Sequence, residues 1–196
     1  HRDRAQRNDV RFSGVTDGRD RVAVRPGLGH SVEPRFTHHV RRDRDRITGL
    51  LEQSFGRVLD PAYLGTLGDA SVYIGGDYAA IAIVKERGPG CYLDKLGLSE
   101  RAQGMGLGAS LWNRVRKDHP TLYWRSRWIN PANKWYLSRA DGMQRARDEK
   151  GDWAVFWYGG VDRDACVADA LSLGHSFGEA LETPGSGSAD AGSVHE

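Results

Sequence analysis

Hydrophobic residues occur at two kinds of spacing along the chain, and each spacing predicts a type of secondary structure. Spacings of three and four place apolar side chains on one face of a helix, whereas short apolar runs are typical of strands. The helical spacing occurs at Ile47, Leu50, Leu51, Phe55 and Val58, and again at Leu107, Leu111, Trp112 and Val115. Two amphipathic helices are therefore predicted, the first ending at Asp60-Pro61 and the second near His119-Pro120.

Short apolar runs rich in β-branched and aromatic residues predict five strands. Two of these runs, 70–74 and 78–84, are separated by Gly75-Gly76-Asp77, which is typical of a hairpin turn. The other strands are predicted at 91–98, 121–128 and 153–158, and short helices at 63–67 and 133–140. At 196 residues, the chain has room for one domain with a substantial core.

Both ends of the chain differ in composition from the central part. The first 40 residues contain few apolar side chains and no sustained period, apart from a candidate strand at 21–24. Beyond residue 160, alanine, glycine, serine and aspartate dominate, and the sequence from residue 183 is of low complexity. We expect a basic linker or loosely ordered lead-in over 1–40, one domain over 41–175 and a disordered tail over 176–196.

Composition limits the classes of protein to which the chain could belong. A net charge of +2 does not indicate nucleic-acid binding, although an arginine-rich arm up to Arg46 could contact nucleic acid or an acidic subunit. No apolar run reaches the roughly 20 residues needed to cross a bilayer, and no secretory signal is visible. Cys91 and Cys166 have neither a metal-site spacing nor the density of a disulfide scaffold. We expect a cytoplasmic protein without a membrane segment or a metal.

A glycine-rich loop, Gln103-Gly104-Met105-Gly106-Leu107-Gly108, lies between a predicted strand and a predicted helix. Amides at the start of a helix attract anions, and glycines let the backbone approach a ligand closely. The loop lacks the Lys-Ser/Thr pair of a P-loop and the GxGxxG spacing of dinucleotide-binding folds. It is predicted to bind a phosphate group that belongs to neither ATP nor a dinucleotide, with an ordinary strand-to-helix turn as the alternative.

Basic residues alternate along the strand predicted at 121–128. Tyr123, Arg125 and Arg127 share one face of that strand, because side chains alternate between faces. Two neighbouring guanidinium groups repel each other unless an anion lies between them, and guanidinium suits carboxylate. The pair therefore indicates a dicarboxylic ligand, and the alternative is a surface role as ion-pair partners of Asp94 or Asp141.

Several separate segments between residues 47 and 160 form an ordered set of motifs. They are Ser54-Phe55-Gly56-Arg57, Tyr92-Leu93-Asp94-Lys95, the glycine-rich loop, Leu122-Tyr123-Trp124-Arg125-Ser126-Arg127, Asn130-Pro131, Trp135-Tyr136, Asp141-Gly142 and Phe156-Trp157-Tyr158-Gly159. This set resembles the acetyltransferase domain of vertebrate-type N-acetylglutamate synthases and bifunctional synthase-kinases, in the GCN5-related N-acetyltransferase (GNAT) superfamily. The resemblance implies an α+β, three-layer fold with a mixed, mostly antiparallel central sheet and helices on both faces.

The resemblance also implies an activity and a role for each matched residue. The activity is direct transfer of an acetyl group from acetyl-CoA to the α-amine of L-glutamate, in arginine biosynthesis. Acetyl-CoA would be held at Leu96, Leu98, Gln103, Gly104, Gly106, Leu107 and Gly108. Glutamate would be bound at Arg57, Lys95, Arg125, Arg127 and Asn130. Tyr136 and Lys95 would be catalytic, with the Tyr136 hydroxyl protonating or stabilising the departing thiolate.

Two departures from the family pattern leave alternatives open. Lys134 stands before Trp135, where family members often have proline. The amino-acid-kinase domain that usually precedes this domain, and that carries arginine regulation, is not recognisable, so it would lie upstream of His1 or be absent. A kinase domain or subunit could therefore be a partner. Another acidic amine acceptor, or a non-catalytic domain that binds CoA or arginine, remains an alternative, and the sequence identifies no general base.

Overall fold

The fold is built on nine strands and four α-helices in the described part of the chain. The structure is a computed structural model that describes residues 32–36 and 43–181. Its strands are β1 (Val32–Phe36), β2 (Arg57–Leu59), β3 (Ser71–Gly75), β4 (Ala80–Arg87), β5 (Gly90–Leu98), β6 (Leu122–Arg127), β7 (Gly142–Asp148), β8 (Gly151–Tyr158) and β9 (Phe177–Ala180). Its helices are α1 (Arg44–Phe55), α2 (Leu107–Asp118), α3 (Asn133–Leu137) and α4 (Arg163–Ser172), with 3-10 helices at Tyr63–Leu67 and Glu100–Ala102.

The main sheet has the strand order β1-β3-β4-β5-β6-β8-β7. Strands β5 and β6 run parallel, and every other neighbouring pair in this sheet is antiparallel. The register between β5 and β6 consists of one residue pair, Tyr92 with Tyr123. Beyond this pair the two strands separate, so an opening forms between the two halves of the sheet toward Leu98 and Arg127. The mixed, mostly antiparallel sheet expected from the sequence is confirmed.

Helices cover both faces of the sheet because neighbouring strand residues point to opposite sides. On one face, α2 buries its apolar stripe against β4, β6 and β8 in a cluster that includes Trp112, Trp124 and Phe156. On the other face, α1 packs on β3 and β4, and α4 packs on Tyr92 and Tyr123. The three-layer architecture follows. Within the described ranges, no helix combines the length and apolar content that crossing a bilayer requires.

The end of the first helix corrects one prediction. Helix α1 ends at Phe55 because Gly56 adopts a left-handed conformation, with φ of 63°, and its amide bonds to the carbonyl of Glu52. The spacing predicts that Val58 belongs to the helix, but Val58 lies in β2 and is 43% exposed. Strand β2 pairs antiparallel with β9, so the helical period ends before Asp60-Pro61.

The boundaries expected for the two ends also need correction. Strand β1 lies inside the predicted linker of 1–40 and pairs with β3, and β9 lies inside the predicted tail of 176–196. Strand β7 and helix α4 were not predicted either. All of these elements lie at an edge or on the outside of the fold, where polar sequences are tolerated and the local pattern is weak. The candidate strand at 21–24 lies outside the described residues.

Candidate active site

A cavity of about 540 Å³ lies where β5 and β6 separate. Its lining contains all six residues predicted to bind glutamate or to take part in catalysis: Arg57, Lys95, Arg125, Arg127, Asn130 and Tyr136. Leu96, predicted to contact acetyl-CoA, lines it as well, whereas the glycine-rich loop at 103–108 does not. The structure thus brings the predicted acceptor residues together in one cavity, beside the end of the strand that leads to the loop.

A β-bulge determines how Lys95 enters this cavity. Lys95 is paired with Ile83 and Leu93 with Val84, so that Asp94 is an additional residue in β5. In a regular strand, consecutive side chains point to opposite faces, but a bulge re-aims them. The ammonium of Lys95 and the Asp94 carboxylate consequently meet at 2.5 Å, and both residues line the cavity.

Lys95 and Asp94 belong to a buried charge cluster. Asp94 forms an ion pair with Lys85 at 2.7 Å and accepts a hydrogen bond from the Tyr63 hydroxyl at 2.9 Å. Burial alone would raise the pKa of Asp94, but the two ammonium groups outweigh it and lower this pKa to about 2. Burial also lowers the pKa of Lys95, and the nearby carboxylate offsets only part of this effect. Asp94 therefore stays ionised at neutral pH and is a poor proton acceptor.

The ammonium of Lys95 already has three hydrogen-bond partners. These are the Asp94 carboxylate, the Asp94 carbonyl at 3.1 Å and the Ser176 hydroxyl at 3.1 Å. A lysine ammonium has three protons to donate. Contact between Lys95 and an acceptor substrate therefore requires one of these bonds to be exchanged. The bonds to the uncharged Ser176 hydroxyl and Asp94 carbonyl are less costly to replace than the bond to the carboxylate.

Arg125 and Arg127 point to the same side of β6, as their alternation predicted. Their guanidinium carbons lie 4.1 Å and 4.0 Å from the centre of the Trp153 ring. Arg125 donates to the carbonyls of Ala170 at 2.6 Å and Leu173 at 3.1 Å, and Arg127 donates to the carbonyl of Lys150 at 2.7 Å. Burial and then the charge of Arg125 lower the pKa of Arg127.

The structure does not support the alternative that Arg125 and Arg127 form ion pairs with Asp94 or Asp141. Asp94 is paired with lysines, and the Asp141 carboxylate accepts a hydrogen bond from the Gly159 amide. The recorded hydrogen bonds of Arg125 and Arg127 go to carbonyl oxygens, which are dipoles without net charge. Two positive charges therefore share one wall of the cavity, an arrangement that an anionic ligand stabilises.

Asn130 and Tyr136 lie on the opposite side of the opening, around α3. The Asn130 side chain donates to the Ser126 hydroxyl at 2.8 Å and accepts from the Ala132 amide at 2.9 Å, so it fixes the start of α3. Tyr136 is buried against Trp124 and Phe156, with ring centres 5.5 Å from each. Burial raises the pKa of Tyr136, so its hydroxyl remains protonated at neutral pH and can act as a proton donor.

The glycine-rich loop is open on its outer side. Gly104 and Gly106 have φ of 80° and 74°, and a Cβ added at either would meet nothing within 4 Å. The amides of the first turn of α2, which begins at Leu107, have no carbonyl partner within the helix. The Leu107 side chain itself is buried in the core, so only its backbone is available to a ligand. Two left-handed glycines and free amides at a helix start suit a phosphate group.

The sequence alone does not identify one wall of the cavity, the segment 173–177, which runs from the end of α4 to the first residue of β9. His175, Ser176 and Phe177 line the cavity from this segment, and Phe177 packs on Phe55 at 4.8 Å. The tail predicted over 176–196 includes part of this segment, because its composition is polar and its partners are distant in sequence. Neither a period nor a motif in the chain signals it. Among the described residues, no group of three His, Cys, Asp or Glu side chains could hold a metal ion.

Known proteins resemble this chain over the greater part of its length. A family model described as the N-acetyltransferase of N-acetylglutamate synthase matches residues 31–172. The mitochondrial N-acetylglutamate synthase of Homo sapiens is 38% identical over 152 residues, 74% of this chain and 28% of that protein. A protein of Xanthomonas campestris named acetylglutamate kinase is 40% identical over 122 residues, 60% of this chain and 28% of that protein. The chain thus spans little more than a quarter of these relatives.

Solved structures share the fold at low sequence identity. The ribosomal-protein-S18-alanine N-acetyltransferase of Escherichia coli has a TM-score of 0.52 and 16% identity, and the match covers 65% of this chain and 90% of that one. Arabidopsis thaliana NAA60 in complex with acetyl-CoA has a TM-score of 0.51 and 17% identity, over 65% of this chain and 99% of that one. The fold is that of the GNAT acetyltransferases, and the match to residues 31–172 shows that the chain belongs to the N-acetyltransferase family of N-acetylglutamate synthase.

Proposed function

We propose that this domain transfers the acetyl group of acetyl-CoA to the α-amine of L-glutamate. The observation that carries the proposal is the arginine pair on Trp153, which faces the same cavity as Tyr136. Two guanidinium groups side by side suit a ligand with two carboxylates, and a protonated phenol suits a leaving thiolate. The relatives named N-acetylglutamate synthase support glutamate as the acceptor.

The donor is proposed to bind between the glycine-rich loop and the separated end of β5. The pyrophosphate of acetyl-CoA would accept hydrogen bonds from the amides at 104–108, and the pantetheine would extend along Leu96 and Leu98 toward the cavity. The part of β5 beyond its single pairing with β6 has backbone groups on that side that β6 does not bond. A structure of the same fold in complex with acetyl-CoA supports acetyl-CoA as the donor.

The proposed reaction is attack of the neutral amine on the thioester carbonyl. A carbon–nitrogen bond forms, the carbon–sulfur bond breaks, and the amine loses one proton to solvent. The Tyr136 hydroxyl donates a proton to the departing CoA thiolate and is reprotonated from solvent. An amide near Gly97 would stabilise the oxyanion of the tetrahedral intermediate. Cys91 does not line the cavity, and burial raises the pKa of its thiol, which favours direct transfer over an acetyl-enzyme.

The place of the whole protein in metabolism is part of the proposal. Transfer to glutamate would serve arginine biosynthesis, as the relatives' names suggest. An amino-acid-kinase domain or subunit is proposed as a partner, because the Xanthomonas campestris relative is named a kinase and is far longer than the matched segment.

The test is release of CoA from acetyl-CoA by the purified chain, with glutamate, glutamine, aspartate or no acceptor. Glutamate is expected to support release far better than glutamine, because glutamine lacks the second carboxylate. If aspartate supported release better than glutamate, the acceptor would still be a dicarboxylic amino acid, but one with a shorter side chain. Binding of CoA without release for any acceptor would contradict the enzymatic proposal and favour a regulatory domain.

Replacing Gly106 by valine is expected to raise the Michaelis constant for acetyl-CoA about tenfold or more, with a small effect on that for glutamate. A β-branched residue at φ of 74° is strained by about 1–2 kcal/mol, and its side chain would stand where the phosphate is proposed to bind. Gly68→Val is the matched control, since Gly68 also has a positive φ with open space around it and lies outside the loop. Equal effects of both variants on acetyl-CoA would mean that strain alone is responsible.

A further inference from the structure

His175 lies at the positively charged end of the cavity. It lines the cavity and also an adjoining open hollow of about 430 Å³, and its ring lies 6.3 Å from that of Trp153. Trp153 is the ring on which Arg125 and Arg127 rest. The imidazole is thus placed beside the group that is proposed to hold the carboxylates of the acceptor.

The position of His175 is fixed by the residues on both sides of it. The carbonyl of Gly174 accepts a hydrogen bond from Arg125 at 2.8 Å. The Ser176 hydroxyl accepts one from Lys95, and the Ser176 carbonyl accepts one from the Asp60 amide at 3.0 Å. Two predicted acceptor-binding residues therefore bond to the neighbours of His175, Arg125 to the Gly174 backbone and Lys95 to the Ser176 side chain, so the segment that carries His175 is anchored on both sides.

We infer that His175 is an additional acceptor-binding residue that takes up a proton when a dicarboxylic amino acid occupies the cavity. The inference rests on the proposed function, because it concerns the acceptor of that reaction. His175 also lies beyond residues 31–172, the part of the chain that the family model matches. The residue would therefore add to the acceptor contacts expected from the family resemblance.

Cations dominate the surroundings of His175. The charged groups that face the segment 173–177 or line the cavity with it are Arg57 on β2, Asp60 after β2, Lys85 and Arg87 on β4, Asp94 and Lys95 on β5, Arg125 and Arg127 on β6, and Lys150 before β8. Partial burial, and then the charges of Arg127, Arg125, Lys150 and Arg57, lower the pKa of His175 below its usual value. The imidazole of the free protein is therefore mostly neutral at pH 7.

A bound dicarboxylate reverses this balance. Two carboxylates among the arginines offset the positive charge that disfavours the imidazolium, so the pKa of His175 rises on binding. If the pKa of a group is higher in the complex than in the free protein, protonation of that group strengthens binding, so binding is tighter at low pH. This contribution is complete below the pKa of the free protein and is lost as the pH rises through the pKa of the complex. The affinity for glutamate should fall over this interval around neutral pH, and His175→Gln should remove that part of the dependence.

The test is calorimetric titration of L-glutamate into the protein saturated with CoA, which fills the donor site without turnover. Titrations in two buffers with different ionisation enthalpies give the number of protons taken up. The native protein is expected to take up roughly half a proton per glutamate near pH 7, and His175→Gln close to none. Native affinity should exceed that of His175→Gln about fivefold at pH 6 and equal it at pH 8.

Two further variants make the result decisive. His175→Lys carries its charge at both pH values and should bind glutamate with an affinity that changes little between pH 6 and 8. His119→Gln changes a histidine that contacts Tyr73 outside the cavity, and it should keep the native proton uptake. Equal proton uptake by native protein and His175→Gln, with glutamate still acetylated, would overturn this inference alone. Native protein that neither binds nor acetylates glutamate would overturn the proposed function with it.

Discussion

Replacing Tyr136 by phenylalanine is expected to lower kcat about 1000-fold, within the range by which a positioned acid accelerates a reaction. The change removes the only polar atom of a side chain whose ring is buried between Trp124 and Phe156, so the packing is retained. Because burial raises the pKa of Tyr136, the native phenol remains a proton donor across the neutral range. Steady-state kinetics with saturating glutamate and acetyl-CoA measure the effect.

Tyr158→Phe is the matched control for this prediction. Tyr158 belongs to the same buried aromatic cluster, but it does not line the cavity, and its hydroxyl donates to the carbonyl of His119 at 2.7 Å. Loss of this bond should lower the free energy of unfolding by about 1 kcal/mol and leave kcat nearly unchanged. If the two variants lost activity equally, the Tyr136 hydroxyl would have no role in the chemistry.

Replacing Arg127 by alanine is expected to raise the Michaelis constant for glutamate about 100-fold, while that for acetyl-CoA changes little. Truncating one partner of a hydrogen-bonded charge pair in a desolvated site costs about 3 kcal/mol, which corresponds to this factor. Arg127 is the better choice within the pair because, apart from its stacking on Trp153, its recorded bond is to one loop carbonyl, that of Lys150. Initial rates over a glutamate series at saturating acetyl-CoA measure the effect.

Arg145→Ala is the matched control for Arg127→Ala. Arg145 also lies on a tryptophan, with its guanidinium carbon 4.3 Å from the Trp128 ring centre, but it is exposed on β7 and ion-paired with Asp152. Removal of this arginine takes away the same charge without touching the cavity. The Michaelis constant for glutamate should therefore stay near its native value. An equal increase in both variants would attribute the effect to the overall charge of the domain.

The central part of the fold could be predicted because its strands and helices show the periodic spacing of apolar residues that is typical of each type of element. Because side chains alternate between the two faces of a strand, one face of β3 and β4 packs on α1. The residues on that face are Val72, Ile74, Ile81 and Ile83. The stripe on α2 likewise marks its buried face before any partner is known. Such patterns depend on neighbours within a few residues, which the sequence displays directly.

The strands that were not predicted from the sequence depend on pairing partners that lie elsewhere in the chain. Strand β7 has the sequence Gly-Met-Gln-Arg-Ala-Arg-Asp and becomes a strand through its pairing with β8 at the edge of the sheet. Strand β9 pairs with β2, more than a hundred residues earlier. Exposed strands need no apolar face, so their sequences lack the pattern that predicts a strand. Such a polar segment is predicted as a loop or tail unless its pairing partner is known.

The candidate site shows the same division. The glycine-rich loop and the alternating arginines are visible in the sequence, and the residues carried over from the family resemblance line one cavity. The bulge at Asp94 is not visible, so alternation alone would place Asp94 and Lys95 on opposite faces. The contribution of segment 173–177 required the three-dimensional structure, because Arg125 and Lys95 hold it across the cavity.

Arg125 serves the fold as well as the proposed site. Its guanidinium group bonds to carbonyls at the end of α4 and in the segment that follows, whereas Arg127 has no comparable share in the packing of a helix. In a descendant of this domain that had lost its catalytic activity, selection on glutamate binding would disappear while selection on folding would remain. Arg127 should then drift first, and Arg125 should persist as a relic of a site that no longer works.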